Sequence, residues 1–142
     1  MRILKAFIMA LVFLVFLSST CRKEEGHQSI LFINNSNNSV YVRTADANYP
    51  DTVIRFGDVR KPGSDLIVEA KTSNGNVLRQ NRGTWEQLIN SIKNDTLMIY
   101  VLDVKTLGIL PWDTIVKKTL ILKRYDLSLQ DLETQNWSIT YP

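Results

Sequence analysis

The sequence predicts a mostly β, single-domain protein: an antiparallel β-sandwich or open barrel with two short helices, behind a cleaved signal peptide. Three observations support this. A polar region follows an apolar N-terminal run, short β-rich runs are separated by Asn, Gly and Pro, and helices do not alternate with strands as a parallel βαβ fold requires. The predicted strands are residues 29–34, 40–44, 52–56, 66–72, 77–80, 96–102, 115–124 and 137–141.

Residues 1–20 have the layout of a secretory signal, with Arg2 and Lys5 before an apolar run at 6–17 and small residues at 18–20. The apolar run has 12 residues, and at about 1.5 Å per residue it is too short for the ~30 Å hydrocarbon core of a bilayer. We therefore expect cleavage before Cys21 and no permanent membrane span.

Cys21 is the only cysteine in the chain and directly follows those small residues. This arrangement resembles the bacterial lipobox, in which the sulfur receives a diacylglycerol and the new N-terminus is acylated, with palmitate as a typical fatty acid. The usual leucine three places before the cysteine is replaced by Ser18, and Leu17 lies one place further out. The resemblance implies a lipid anchor; a plain secretory signal with an incidental thiol is the alternative.

Residues 21–28 are predicted to be a charged tether, and residues 29–142 the single domain. Arg22, Lys23, Glu24 and Glu25 resemble the lysine-then-acidic export tag that follows the lipidated cysteine in Bacteroidetes lipoproteins. The resemblance implies an outer-membrane protein that faces the cell exterior. The alternative is a solvated linker, because this composition disfavours a packed core.

The mature chain is predicted to be almost neutral. Two of the 17 basic residues, Arg2 and Lys5, lie in the removed segment, which leaves 15 against 14 acids. A nucleic-acid partner is therefore not expected. The expected partners are the membrane, through the lipid anchor, and a protein or a glycan.

The first two strands are predicted to pair through a hairpin turn at 35–39, because Asn tolerates positive φ and bonds its own backbone. In the second strand Val40 and Val42 alternate with Tyr41 and Arg43, which predicts one buried and one wetter face.

Further along, the Asn74-Gly75 pair predicts a second hairpin, between strands 66–72 and 77–80. Residues 96–102 lack polar alternation after Thr96, which predicts a central strand covered on both faces. Residues 103–114 are predicted to be a long connection before the strand at 115–124.

Two segments carry helix signals. Apolar residues at i, i+3, i+4 and i+7 begin at Trp85, after a Thr84/Gln87 capping box. A second short helix at 128–134 is predicted from Ser128 with Asp131 three residues on. The final strand, at 137–141, has to be paired or docked, and an exposed edge there would suit strand addition in an envelope assembly.

The C-terminal stretches LKRYDLSLQDL at 122–132 and NWSITYP at 136–142 are similar to the tail of small gut Bacteroidetes lipoproteins that have no assigned activity. Phe32, residues 34–36, 40–42 and 49–52 are similar to them too. The resemblance covers about half of the mature chain and implies location and shape, but no catalytic residue. A physical explanation also suffices for the tail, whose apolar residues are enough to close one end of a core.

Asp-Thr-aliphatic triplets at Thr52, Thr96 and Thr114 resemble the O-glycosylation site of exported proteins in that phylum, and we expect at least one to be modified. The alternative is that each triplet marks a strand start, where Asp closes a turn.

The sequence argues against catalysis and predicts no cofactor or metal site. His27, the sole histidine, is assigned to the tether, so a catalytic triad or histidine zinc site lacks parts. A small secreted carboxylate-based hydrolase is the alternative, since two placed acids suffice for a glycosidase. The candidate acids are Asp51, Asp58, Asp65, Glu69, Asp103 and Asp113.

Aromatic residues beside loops suggest binding. Tyr49, Trp112 and Tyr125 are the candidates, and Trp112 is the possible ligand contact. Trp85 and Trp137 are expected in the core. The sequence thus predicts a lipid-anchored, non-catalytic binding or structural domain, with a subunit of an outer-membrane assembly as a further alternative.

Overall fold

The structure is a computed structural model that describes residues 26–45, 49, 64–118 and 120–142, so the strand predicted at 52–56 lies outside it. Within the described residues the chain is mostly strand, as predicted. The strands are β1 Leu31–Asn34, β2 Val40–Thr44, β3 Ile67–Val68, β4 Thr72–Asn74, β5 Thr96–Asp103, β6 Lys123–Ser128 and β7 Ser138–Tyr141. The helices are α1 Trp85–Ser91, α2 Val104–Ile109, α3 Trp112–Lys117 and α4 Leu129–Thr134, with 3₁₀ turns at Ser64–Leu66 and Lys93–Asp95.

The strands form two sheets that resemble a sandwich. One sheet has the order β4-β1-β7 and the other the order β3-β2-β5-β6. The four-stranded sheet is antiparallel throughout, as predicted. In the other sheet β7 is parallel to β1, with Leu31 opposite Ser138 and Asn34 opposite Tyr141. This parallel pair departs from the predicted antiparallel arrangement. It arises because α4 carries the chain from the end of β6 to the side of the sheet where β1 starts, so β1 and β7 begin at the same end.

The predicted hairpin between β1 and β2 is wrong, since the two strands lie in different sheets. The expected local chemistry is nevertheless present: the backbone N–H of Ser36 donates to Asn34 Oδ1 over 3.0 Å. Asn34 Nδ2 also donates to the carbonyls of Asn38, Val68 and Glu69. The two long-range bonds, to Val68 and Glu69, hold residues 35–39 as a crossover between sheets.

The main core lies between the two sheets. Phe32 and Ile139 from one sheet meet Val42, Ile99 and Val101 from the other, and all five are fully buried. Trp85 and Trp137 belong to this core, as predicted. Several residues of the C-terminal tail do too, in agreement with the physical explanation of that segment; they are Leu127, Leu132, Trp137 and Ile139.

A second cluster covers the outer face of the four-stranded sheet. Tyr41, Met98, Tyr100 and Leu102 are buried there against Ile115 of α3. The prediction of a wetter face for β2 is therefore wrong at Tyr41, which is 1% exposed. The central position predicted for β5 is confirmed, because it is buried on both faces between β2 and β6.

The connection before β6 differs most from the prediction. Two helices occupy residues 104–117, and β6 begins only at Lys123. Asp103 caps α2 by accepting the N–H of Thr106, and α3 begins directly after Pro111. Both are ordinary helix-start signals. Residues 119–123 are partly apolar, and for this reason the sequence predicts a strand that begins before Lys123.

The second predicted hairpin is also wrong. β3 and β4 are separated by a turn in which Lys71 has φ of 59°, so 66–72 is not one strand. After β4, Asn74 Oδ1 accepts the N–H of Asn76, but the following residues bond to 28–30 and not to β4: Ile30 N–H donates to Leu78 O over 3.0 Å.

Both predicted helices are confirmed with their caps. Thr84 and Gln87 form a reciprocal capping box on α1, and Ser128 and Asp131 form one on α4. The expected pairing of the final strand is confirmed by its register with β1.

Candidate functional site

The two ends of the sandwich are formed by different parts of the chain. At the N-terminal end lie residues 26–29, the start of β1, and α1. Because β1 and β7 run the same way and β2 starts opposite Asp103, the other end gathers residues 35–39, Asp103 and Tyr141. About six residues of β-strand separate the ends, or roughly 20 Å. We call the second one the distal end.

The N-terminal residues are bound tightly to the domain. The backbone N–H of His27 donates to both carboxylate oxygens of Glu86, and its Nδ1 lies 2.7 Å from Glu86 Oε1. The His27 ring stacks on Trp137 with 4.0 Å between centroids, and its carbonyl accepts the N–H of Trp85. His27, which the sequence places in the tether, therefore helps to seat the chain on α1.

Gly26 makes this contact sterically possible. Its φ is +145°, and a Cβ at this position would lie 2.8 Å from Glu86 Oε2 and 2.9 Å from Thr84 Cβ. Only glycine fits both the backbone conformation and the close approach.

The contact with His27 also affects Glu86. Burial raises the pKa of this carboxyl, but the hydrogen bonds from His27 outweigh burial, so its pKa lies below its usual value.

The distal end contains a cleft of about 320 Å³, which we call the distal cleft. This volume is at the lower end of the range for small-ligand sites. Residues of the β1–β2 crossover, the start of α2 and the end of β7 line it. They include Ser36, Asn38, Asp103, Lys105, Leu122 and Tyr141.

The distal cleft combines fixed polar groups with apolar surface. Asp103 Oδ2 accepts the backbone N–H of Thr106 at 2.9 Å and its hydroxyl at 2.7 Å. Burial opposes ionisation of Asp103, but these bonds outweigh it, so its pKa lies below the usual value. Lys105 Nζ lies 3.4 Å from Asn38 Oδ1. Leu122, 47% exposed, supplies apolar surface, so the cleft offers both charges, an amide and an apolar wall.

Most of the predicted site residues lie outside the part of the chain that the structure describes. Cys21, Lys23, Glu24, Glu25 and Thr52 lie outside the described residues, as does the side chain of the predicted ligand contact, Trp112, the first residue of α3.

The two described threonine candidates lie in different elements. Thr96 starts β5, as the strand-start explanation expects, and its hydroxyl donates to Asn94 O over 2.8 Å. Thr114 lies within α3, so that explanation is wrong for its triplet. Both threonines are only partly exposed in the folded domain.

The described candidate acids have separate local roles. Glu69 accepts the hydroxyl of Ser39, Asp103 caps α2, and Asp65 and Asp113 are exposed in the first turns of short helices. Asp103 is the only acid among the described residues that line the distal cleft, so no second described carboxylate faces it there. Asp51 and Asp58 lie outside the described residues.

Nothing in the sequence marks Asn38 or Lys105 as binding residues. Asn38 reads as a turn residue, and Lys105 lies in a segment predicted to be a connection. They meet because the chain crosses after β1 to the other sheet, which brings Asn38 beside the start of α2. Asp103 is one of the candidate acids. Its position three residues before Thr106 fits a helix N-cap, and this is the local sequence signal that could have placed a helix start at the cleft.

The sequence matches no protein-family model, and neither the curated proteins nor the solved structures contain a match. Among the helices of the described ranges, none is long and apolar enough to cross a membrane. The same part of the chain holds no group of three or more His, Cys, Asp or Glu side chains arranged to bind a metal ion.

Proposed function

We propose that this protein is a lipid-anchored lipoprotein of the outer membrane, facing the cell exterior, whose β-domain binds a protein or glycan partner without catalysis. The observation that carries the proposal is the position of Cys21. It directly follows an apolar run and small residues, and stands five positions before Gly26, the first residue that the structure describes.

The orientation of the domain supports a binding role for the distal cleft. Residues 26–29 emerge at the N-terminal end, so an anchor at Cys21 puts that end next to the membrane. The distal cleft then lies about 20 Å further out, where a large partner meets the fewest steric restrictions. Its balanced charges, Asp103 and Lys105, favour a neutral or zwitterionic group over a polyanion.

A role in strand addition is less well supported by the geometry. β7 lies at the edge of its sheet among the described strands, but the Tyr125 hydroxyl of β6 donates to Thr140 O over 2.9 Å. This bond occupies a carbonyl that an added strand would need. The distal cleft is therefore the better candidate for partner binding.

The anchor is tested by fractionation. Cys21→Ala is expected to move the protein out of the membrane fraction, and mass spectrometry of the native protein is expected to show a diacylglycerol and fatty acids on Cys21. Added protease should degrade the native protein on intact cells. Retention of Cys21→Ala in the membrane would contradict the anchor, and full protection from protease would contradict the outward orientation.

Binding is tested with the native protein on a glycan array and by pull-down from solubilised envelopes. Lys105→Gln, which removes one charge from the distal cleft, is expected to weaken capture of the identified partner. Lys93→Gln is the matched control, because Lys93 is an exposed lysine near the N-terminal end. Equal loss in both variants, or in neither, would assign binding to another surface.

A further inference from the structure

A second cavity lies at the N-terminal end and differs in charge from the distal cleft. Its volume is about 340 Å³, and it lies between the end of β2 and residues 77–80. Arg43, Leu66, Arg79 and Trp85 are among its lining residues. It adjoins a shallower depression formed by Gly26, residues 27–29 and 75–76, to which Arg79 also contributes. Arg79 therefore lines both the cavity and the shallower depression.

The charge of this surface is one-sided among the described residues. Arg79, an exposed cation, lines both depressions, Arg43 lines the first of them, and no described lining residue is acidic. The carboxylate of Glu86, beside Gly26, makes three contacts with His27. Arg79 is exposed, and its guanidinium presents a fork of N–H donors whose geometry matches a phosphate.

The covalent chain limits how far this surface lies from an anchor. Five residue steps separate Cys21 from Gly26, and a fully extended chain spans at most about 3.6 Å per step, or roughly 18 Å. Gly26 itself lines the depression beside Arg79. A lipid at Cys21 therefore keeps Arg79 within reach of headgroups.

We propose that Arg79 binds a phosphate group of the membrane lipids around the anchor and so holds the N-terminal end of the domain on the membrane surface. The proposal rests on the lipid anchor of the proposed function. The contact fixes the orientation in which the distal cleft points outward. The packing of residues 26–29 against the domain then transmits this orientation from the membrane to the whole domain.

A single cation near an anionic surface changes binding only about fivefold, which is too little to recruit a free domain. The anchor changes this, because a short tether gives the headgroups an effective concentration of about millimolar or more at the site. Weak contacts at Arg79 then suffice to bias the orientation of a domain that is already attached.

The experiment uses the lipidated mature protein in vesicles of phosphatidylcholine alone, or of an equal mixture with phosphatidylglycerol. Hydrogen–deuterium exchange of residues 81–83, which lie in the loop beside Arg79, reports docking. We expect exchange to be about fivefold slower on the anionic vesicles. Ionic strength of about 1 M, where the Debye length is ~3 Å, should remove the difference.

Variants identify the contact. Arg79→Gln is expected to lose most of the slowing, and Arg79→Lys to keep part of it because a point charge remains. Lys123→Gln, at an exposed lysine that starts β6, is expected to behave as wild type. Soluble inorganic phosphate at millimolar concentration should not release the domain if lipid phosphate is the ligand; release would mean that the site takes free phosphate instead and would overturn the lipid assignment.

Two results would refute the contact: equal exchange on both vesicle types, or unchanged slowing in Arg79→Gln. An unchanged urea midpoint of Arg79→Gln excludes misfolding as the cause of any loss, since this side chain is exposed. Failure of the proposed function gives a different result, because a protein without a lipid anchor would not remain on either kind of vesicle.

Discussion

Asn34 is the residue whose replacement should test the crossover most directly. Its side chain is fully buried, with 0% exposure, and makes five hydrogen bonds. Nδ2 donates to the carbonyls of Asn38, Val68 and Glu69 at 2.8, 3.1 and 3.1 Å. Oδ1 accepts the backbone N–H and the hydroxyl of Ser36 at 3.0 and 2.7 Å. This one amide thus joins β1, the crossover and the end of β3.

The expected cost of Asn34→Ala follows from those partners. Each hydrogen bond contributes about 1 kcal/mol net, and a buried group left without a partner costs about 1 to 3 kcal/mol. The Val68 bond is buried, whereas water can replace Asn34 at the partly exposed partners. We therefore expect a loss of about 3 kcal/mol in the free energy of unfolding, a large share of the ~5 to 15 kcal/mol typical of a domain.

Asn34→Asp is expected to cost at least as much at neutral pH, because one carboxylate oxygen would replace Nδ2 and face three carbonyls. Burial and these acceptors raise the pKa of the new carboxyl above its unfolded value. The ionised form is the destabilised one, so the penalty should shrink as pH falls and the group becomes protonated.

Urea unfolding measures both effects, with an unchanged m-value as evidence that the change lies in stability. Asn37→Ala is the matched control, because Asn37 is an exposed asparagine in the same crossover and should cost less than about 0.5 kcal/mol. A loss below about 1 kcal/mol in Asn34→Ala, or a loss equal to that of the control, would show that Asn34 does not hold the two sheets together.

Three further predictions concern other contacts. The pKa of Glu86 lies below its usual 4.5, so its contribution to stability is present above pH 4.5 and is lost as pH falls through the lower folded value; Glu86→Gln should flatten this loss in urea midpoints measured from about pH 6 to pH 3. Trp85→Phe removes the Nε1 bond to Leu78 O, 3.1 Å in the core, and should cost about 2 kcal/mol in urea unfolding; a neutral result would mean that water replaces the bond. Tyr125→Phe frees Thr140 O and should cost about 1 kcal/mol, while size-exclusion chromatography detects any self-association through β7; unchanged stability would show that the hydroxyl does not secure that edge.

Local features of the fold were predictable because their causes are local. The capping boxes at Thr84 and Ser128 each need only three residues of sequence. The apolar run that became β5 has no polar face to expose, so its central position follows from burial alone. The signal layout and Cys21 are likewise linear patterns, and they carry the proposed location.

Sequence alone did not reveal which strands pair. A turn residue such as Asn74 bends the chain as expected, but it does not determine where the chain goes next. Asn34 finds Val68 34 positions away, and β7 joins β1 more than 100 residues apart in the sequence. The stability of such pairs depends on the burial that both sheets achieve together, which no short window of sequence records.

The sequence by itself determined the composition of the elements, two helices with their caps, a central strand, and the linear signal that points to an anchor at Cys21. The tertiary structure decided the crossover, the parallel β1–β7 pair, and the meeting of Asn38, Asp103 and Lys105 in the distal cleft. It also placed Arg79 beside the N-terminal residues. The physical reason is the range of the interactions: caps and turns act over three or four residues, whereas sheet pairing and clefts arise from contacts between distant segments.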